Sequence, residues 1–240
     1  MSECEDAIGV NLAALRFAVT DGATEAYGAR RWARYLATAW VSKDACEADD
    51  AAYAEGIGIL ARRFETRQPT GPTPWYVEAK ARQGSFAALL GLSIAPAAQH
   101  WSWEAIAIGD CSLVHLLSEG TQASFPIDDP REFGSHPAEI GTTHFSREFL
   151  APILRREAGV LCTGDVLLLM TDAIAQWYLE HCKTDKMRAG EFDETLLSGP
   201  SAFERLVGRE REAGRLRNDD VAVLRIGVDP VEEVSPRRTR

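Results

Sequence analysis

Acidic residues recur where the apolar runs of this 240-residue chain stop. FAVT runs into Asp21, AIAIG into Asp110 and VLLLMT into Asp172. Asp219 stands just before VAVLRI, and Glu5 and Asp6 open the first apolar segment. A carboxylate beside a buried strand is costly unless it is paired, hydrogen-bonded or bound to a metal. Taken singly, each of these residues reads as a turn former or a helix or strand-entry cap. Several together in one chain suggest a shared task. Hard divalent cations choose oxygen ligands, and Mg²⁺ or Mn²⁺ takes only a few carboxylates while keeping several waters. Two such ions about 3.5–4 Å apart can share a water and stabilise an in-line displacement at phosphorus. Carboxylates from separate strand ends could form that cage.

Other chemistries find less support. The five cysteines (Cys4, Cys46, Cys111, Cys162, Cys182) form no CxxC pair, which argues against a disulfide framework or a structural zinc site. The five histidines include no HxxxH spacing. The sequence contains no GxxxxGK[ST], GxGxxG or GxSxG motif. His115 alternates within an apolar run and reads as structural. With 36 acidic and 26 basic residues the net charge is −10, a field that repels nucleic acid and anionic membrane surfaces. The longest apolar run, VLLLM at 166–170, is far below the roughly 18 residues of a membrane span. The N-terminus lacks a basic region before an apolar core, so the expected compartment is the cytoplasm.

The elements that must position the acids follow from periodicity. Residues 5–10 and 13–20 read as two strands around Asn11-Leu12. A helix is expected over 25–41, with Trp32, Leu36 and Trp40 on one face, and another over 44–67, with Tyr53, Ile57, Leu60 and Phe64. QPTGPTP at 68–74 ends it, and a short helix over 75–82 follows. Strands are expected at 85–95, 101–108 and 111–117, with Gly109-Asp110 as a tight connection. Residues 121–147 read as a long surface excursion. A strand at 165–171, helices after Asp172 and over 201–214, and a strand at 220–226 complete the pattern. The segment 229–240 has the composition of a flexible tail, leaving one domain over 1–228. Helices set as a block among antiparallel-looking strands indicate an α+β fold.

The ordered set ECEDA (3–7), VTDGATE (19–25), AALLGLSI (87–94), WEAIAIGDCSL (103–113), GDVLLLMTDAIAQW (164–177) and RNDDVAVLRI (217–226) resembles the metal-dependent PP2C (PPM-type) serine/threonine phosphatases. The resemblance spans about residues 4–227. It implies an αββα sandwich, two antiparallel sheets face to face with helices outside and the metal centre at one end. It implies Mn²⁺ or Mg²⁺, two ions and a weaker third, and a metal-activated hydroxide that hydrolyses a phosphomonoester on a phosphorylated protein. By the same resemblance Asp21 matches the bridging ligand and Gly22 the ligand acting through its carbonyl. Asp172 and Asp219 complete the cage, Glu5 and Asp6 support the second ion, and Asp110 belongs to the third.

The chain departs from that pattern at the accessory positions. Met1 stands where a phosphate-binding arginine is expected, so that arginine is missing or the chain begins late. Ala23 replaces a histidine proposed as general acid, Ala173 a glycine, and Gln176 a second aspartate, while GDCS lacks the arginine of "GDSR". Arg30 and Arg31 read as a solvated helix face. Positioned acid–base groups contribute about 10²–10⁴-fold, so their loss leaves two readings: a phosphatase of reduced rate, or a weak or inactive PP2C-like module that binds a partner.

Overall fold

The computed structural model describes residues 4–24, 26–42, 50–67, 75–97, 100–120, 122–134, 137–143 and 145–228. The expected helical start at Glu25, the stretches 44–49 and 68–74, and the tail 229–240 lie outside them.

Two antiparallel sheets form the centre. One contains β1 (Ala7–Asn11), β2 (Arg16–Gly22), β3 (Phe86–Ala97), β4 (His100–Ile108) and β8 (Arg155–Leu161) in that spatial order, with the two-residue β7 (Ile140–Gly141) on β3. The other runs β10 (Val223–Gly227), β9 (Val166–Met170), β5 (Ser112–Leu116), β6 (Gln122–Phe125). Side chains alternate between faces along each strand, and here both faces are apolar. Phe17, Val19, Leu90, Leu92, Leu113, Leu167 and Leu169 meet between the sheets. The alternate residues Ala18, Leu89, Ile106 and Ile108 face one helical layer, and Val114, Leu168 and Met170 the other. The expected αββα layering is the observed one.

On the first sheet lie α1 (Ala29–Val41) and α2 (Asp50–Glu65), with α3 (Trp75–Gln83) leading into β3. The expected stripes are the buried faces: Trp32, Leu36 and Trp40 on α1, and Tyr53, Ile57, Leu60 and Phe64 on α2. Trp40 donates its indole N–H to the Leu92 carbonyl at 3.2 Å, across a backbone kept bare by Gly91. A Cβ at Gly91 would lie 2.4 Å from the Trp40 ring. The second sheet carries α5 (Asp172–His181), α6 (Lys186–Leu197) and α7 (Pro200–Glu212). A single turn, α4 (Arg147–Leu150), precedes β8.

Three expectations change. Helix α1 begins at Ala29, after Gly28 in the left-handed region (φ 67), so it starts later than the apolar stripe suggested. Strand β2 does not stop before Asp21 but continues through Asp21 and Gly22, which pair with Ala88 and Ala87. The segment 121–147 is no simple excursion, because it supplies β6, β7 and the buried Phe125 and Ile140. Its strands are too short to show a period. Helix α6 and strand β8 carry no sequence expectation for other reasons: α6 is only weakly amphipathic and β8 is mostly exposed.

The helical layer over the second sheet is pinned by one buried acid. Glu210 on α7 accepts from the Trp177 indole on α5 at 3.2 Å and from Arg215 Nε at 2.7 Å. Those bonds, Arg215 foremost, hold its carboxyl down at about 2 against an ordinary 4.5. A carboxyl depressed on folding adds stability that is complete above about pH 4.5 and is lost as the pH falls through about 2. Urea denaturation in that window should show the native chain losing stability with acidification more steeply than Glu210→Gln. Equal slopes would contradict the assignment.

Candidate metal centre

In an antiparallel sandwich every second strand boundary falls at the same end. The start of β1, the ends of β2, β4 and β9 and the starts of β5 and β10 therefore share one rim. Each of the sequence-predicted acids stands at one of those boundaries. Asp6 precedes β1, Asp21 is the penultimate residue of β2, Asp110 joins β4 to β5, Asp172 opens α5 after β9, and Asp219 precedes β10.

Strand parity decides which way Asp21 faces. Phe17 and Val19 point between the sheets, so Asp21, two residues on, shares their face. Thr20 lies on the opposite face and donates to the Ala33 carbonyl of α1 at 3.1 Å. Gly22 has no room for a side chain: a Cβ would come 2.9 Å from the Ala29 carbonyl carbon and 3.1 Å from the Glu5 carbonyl oxygen. Gly109 permits the crossing from one sheet to the other, at φ 98 with the space of its missing Cβ filled by Ala88 and the Ala138 carbonyl.

Four of the acids converge. Asp6 and Asp21 share a side-chain hydrogen bond, which requires a proton between them. Asp6 also accepts from the Thr171 hydroxyl at 2.9 Å, and Thr171 in turn accepts from the Ala222 N–H at 2.9 Å. Burial raises both carboxyls, with the neighbouring charges adding to it: Asp6 goes to about 7 and Asp21 to about 10. Asp110 is pushed up to about 7 by burial and then by Asp172. Burial raises Asp172 as well, against the opposing charge of Arg217, whose guanidinium donates to its Oδ2. Both oxygens of Asp110 are buried without a hydrogen-bond partner outside the residue's own backbone.

The remaining predicted residues sit at the edge. Glu5 is half-buried, and its carboxyl is raised by burial and by Asp220. Asp219 is exposed, and its charge bears on Asp172 and Glu5. Two residues were missed. Asp220 accepts from the Glu5 N–H at 2.7 Å and bears on Asp6, and Arg217 caps Asp172. The doubled acid in RNDD was the available signal for Asp220. Nothing local distinguishes Arg217 from the other arginines of α7 and its loop.

The donor set is all oxygen, which suits a hard divalent cation and offers nothing to a soft one. Among the described residues no three His, Cys, Asp or Glu form a ready-made shell. The carboxylates are turned instead to one another, to Thr171 and to Arg217. The orphaned, buried oxygens of Asp110 and the crowding of Asp6, Asp21 and Asp172 nevertheless fit a cation that would neutralise them.

A groove of about 280 Å³, lined by Asp110, Ile127, Pro137, Ile153 and Arg155 among others, opens beside the cluster. A larger cavity, about 1000 Å³, lies elsewhere, among α5, α6 and α7. A centre held together against charge repulsion gains stability when one charge is removed. In EDTA, Asp110→Asn should melt about 2–4 °C above the native chain, the rise expected from relief of about 1 kcal/mol. A lower melting temperature would show that Asp110 is a satisfied structural residue.

Neither a protein-family model nor a curated protein sequence matches the chain. Solved structures do. The serine/threonine phosphatase PstP/Ppp of Mycobacterium tuberculosis is 15% identical over 96% of this chain and 94% of its own, with a TM-score of 0.57. The catalytic domain of PstP in complex with two manganese ions is 18% identical over 95% and 94%, with a TM-score of 0.58. The PPM Ser-Thr phosphatase MsPP of Mycobacterium smegmatis, in complex with cacodylate, is 15% identical over 95% and 93%, with a TM-score of 0.51. The layering and these matches agree: the chain has the fold of the PPM (PP2C-type) serine/threonine phosphatases.

Proposed function

We propose that the chain is a divalent-cation-dependent phosphomonoester hydrolase that acts on phosphoserine or phosphothreonine in proteins. The observation that carries this reading is the convergence of Asp6, Asp21, Asp110 and Asp172 at one end of the sandwich, three of them buried and Asp21 half-buried, with both oxygens of Asp110 left without a partner. The two manganese ions in the PstP catalytic domain support it by analogy of fold. Mn²⁺ or Mg²⁺, when bound, would neutralise these acids and supply an activated water for attack on phosphorus.

Asp21 feels the charges of both Asp6 and Asp172, which suits it to hold two ions. Gly22 offers a backbone carbonyl at the same strand end, and Asp172 and Asp219 would close the cage from β9 and the loop before β10. Thr171 orients Asp6 by donating to its Oδ2, which leaves the other oxygen available to a cation. Glu5, with Asp220 beside it, would act at the periphery and Asp110 at a more weakly held third ion.

The chain's own residues also argue against a side-chain nucleophile. Cys111 is fully buried behind the acids, and burial followed by their charges raises its thiol well above the usual range, so it stays protonated. His115 is held by Asp165 at 3.2 Å, beside the start of β9, at the other end of the sandwich from the acids.

One observation favours a second reading, a weak or inactive binding module. Gln176, where the resemblance implies a second aspartate, donates toward the Pro130 carbonyl at 3.4 Å and brings no charge to the cluster. Hydrolysis of p-nitrophenyl phosphate and of a phosphothreonine peptide, with Mn²⁺ and with EDTA, separates the two. The hydrolase reading expects a Mn²⁺-dependent rate that falls by about 100-fold or more in Asp21→Ala. No Mn²⁺-dependent rate above that variant would sink it and leave the binding module.

A further inference from the structure

Among the described residues, Asp172 is the one acid of the cluster whose side chain is paired with a cation. Arg217 lies in the loop between α7 and β10 and donates from Nη2 to Asp172 Oδ2. Its charge also reaches Asp110. The exposures of the two side chains differ sharply: 12% for Asp172 and 41% for Arg217. The guanidinium therefore covers the mouth of the centre with one edge on the acid and the remainder in water. Its other donors make no hydrogen bond among the described residues. The loop itself is tied down, since Arg211 on α7 donates to the carbonyls of Arg217 and Asp219. The backbone stays in place while the side chain is free to turn.

A guanidinium and a hard divalent cation compete for the same carboxylate, and their like charges raise the cost of each beside the other. We propose that Arg217 is the phosphate-receiving cation of this centre, held on Asp172 until a divalent cation takes that carboxylate and releases it. The inference rests on the hydrolase reading above. Once off Asp172, the guanidinium remains at the mouth, within a side chain's reach of whatever approaches the acids. Its planar fork matches two oxygens of a phosphate. The exchange is ordered by charge. With the cluster bare, Asp172 and Asp110 hold the arginine inward; with cations bound, they no longer do, and the arginine turns to the incoming anion. The apparent affinity for the first cation is then reduced by the fraction of protein in which Arg217 occupies Asp172.

Calorimetric titration of the full chain tests this without reference to turnover. Mn²⁺ is titrated into the native protein, Arg217→Gln, Arg217→Lys and, as a control, Arg205→Gln, which alters an exposed α7 residue. Inorganic phosphate is then titrated into each Mn²⁺-loaded protein. Arg217→Gln should bind Mn²⁺ roughly two- to five-fold more tightly than the native chain, the range set by loss of one partly exposed ion pair. Its loaded form should bind phosphate at least about ten-fold more weakly, the loss of a charge-assisted pair. Arg217→Lys should keep part of both effects, and Arg205→Gln neither. Unchanged or weaker Mn²⁺ binding by Arg217→Gln, or undiminished phosphate binding, would overturn the proposal while leaving the metal centre standing. Failure of the native chain and Arg217→Gln alike to bind Mn²⁺ would overturn the centre, and this inference with it.

Discussion

Burying several carboxylates in one place is expensive twice over, through lost hydration and through mutual repulsion. Asp6, Asp21, Asp110 and Asp172 incur both costs at the end of the sandwich, and much of the architecture is legible as the means of enforcing it. The apolar interface of Phe17, Val19, Leu90, Leu113, Leu167 and Leu169 fixes the distance between the sheets. The antiparallel order then brings β1, β2, β4, β5, β9 and β10 to a common rim. No single strand could relax away from the cluster without losing its place in a ladder and in a buried face.

Another acid of the same sandwich shows that the cost is not general. Asp165, just before β9 and at the opposite end, accepts from the Cys162 and Ser118 N–H groups at 2.8 and 2.9 Å and pairs with His115 at 3.2 Å. Although burial opposes it, those bonds leave its carboxyl below the ordinary range. Asp110 has no such provision. One acid at a strand boundary is satisfied by its surroundings and holds a turn. The other is left wanting, as expected of a group whose partner is not part of the chain.

The sequence made the layering and most of the acids readable, because long periodic stripes and the repeated strand-to-acid junction are local signals. Trp32-Leu36-Trp40 and Tyr53-Ile57-Leu60-Phe64 announce buried helix faces, and the structure buries them. Asp21 needed only the parity of FAVTD to be turned inward. Arg217 and Asp220 were not readable, since their roles arise from a loop folding back between α7 and β10 onto Asp172 and Glu5. The segment 121–147 misled for a related reason: a four-residue edge strand and a two-residue bridge acquire order from neighbours, not from their own pattern. The late start of α1 depends on Gly28, whose left-handed backbone no periodicity reveals.

The central claim is that the cluster exists to hold divalent cations. Crystals grown with Mn²⁺ and measured at the manganese absorption edge address it most directly. The account predicts anomalous peaks at the sandwich end in contact with the Asp21 carboxylate, with Arg217 displaced from Asp172. Manganese bound only elsewhere, or an Asp6–Asp21 hydrogen bond left intact with no peak beside it, would contradict it.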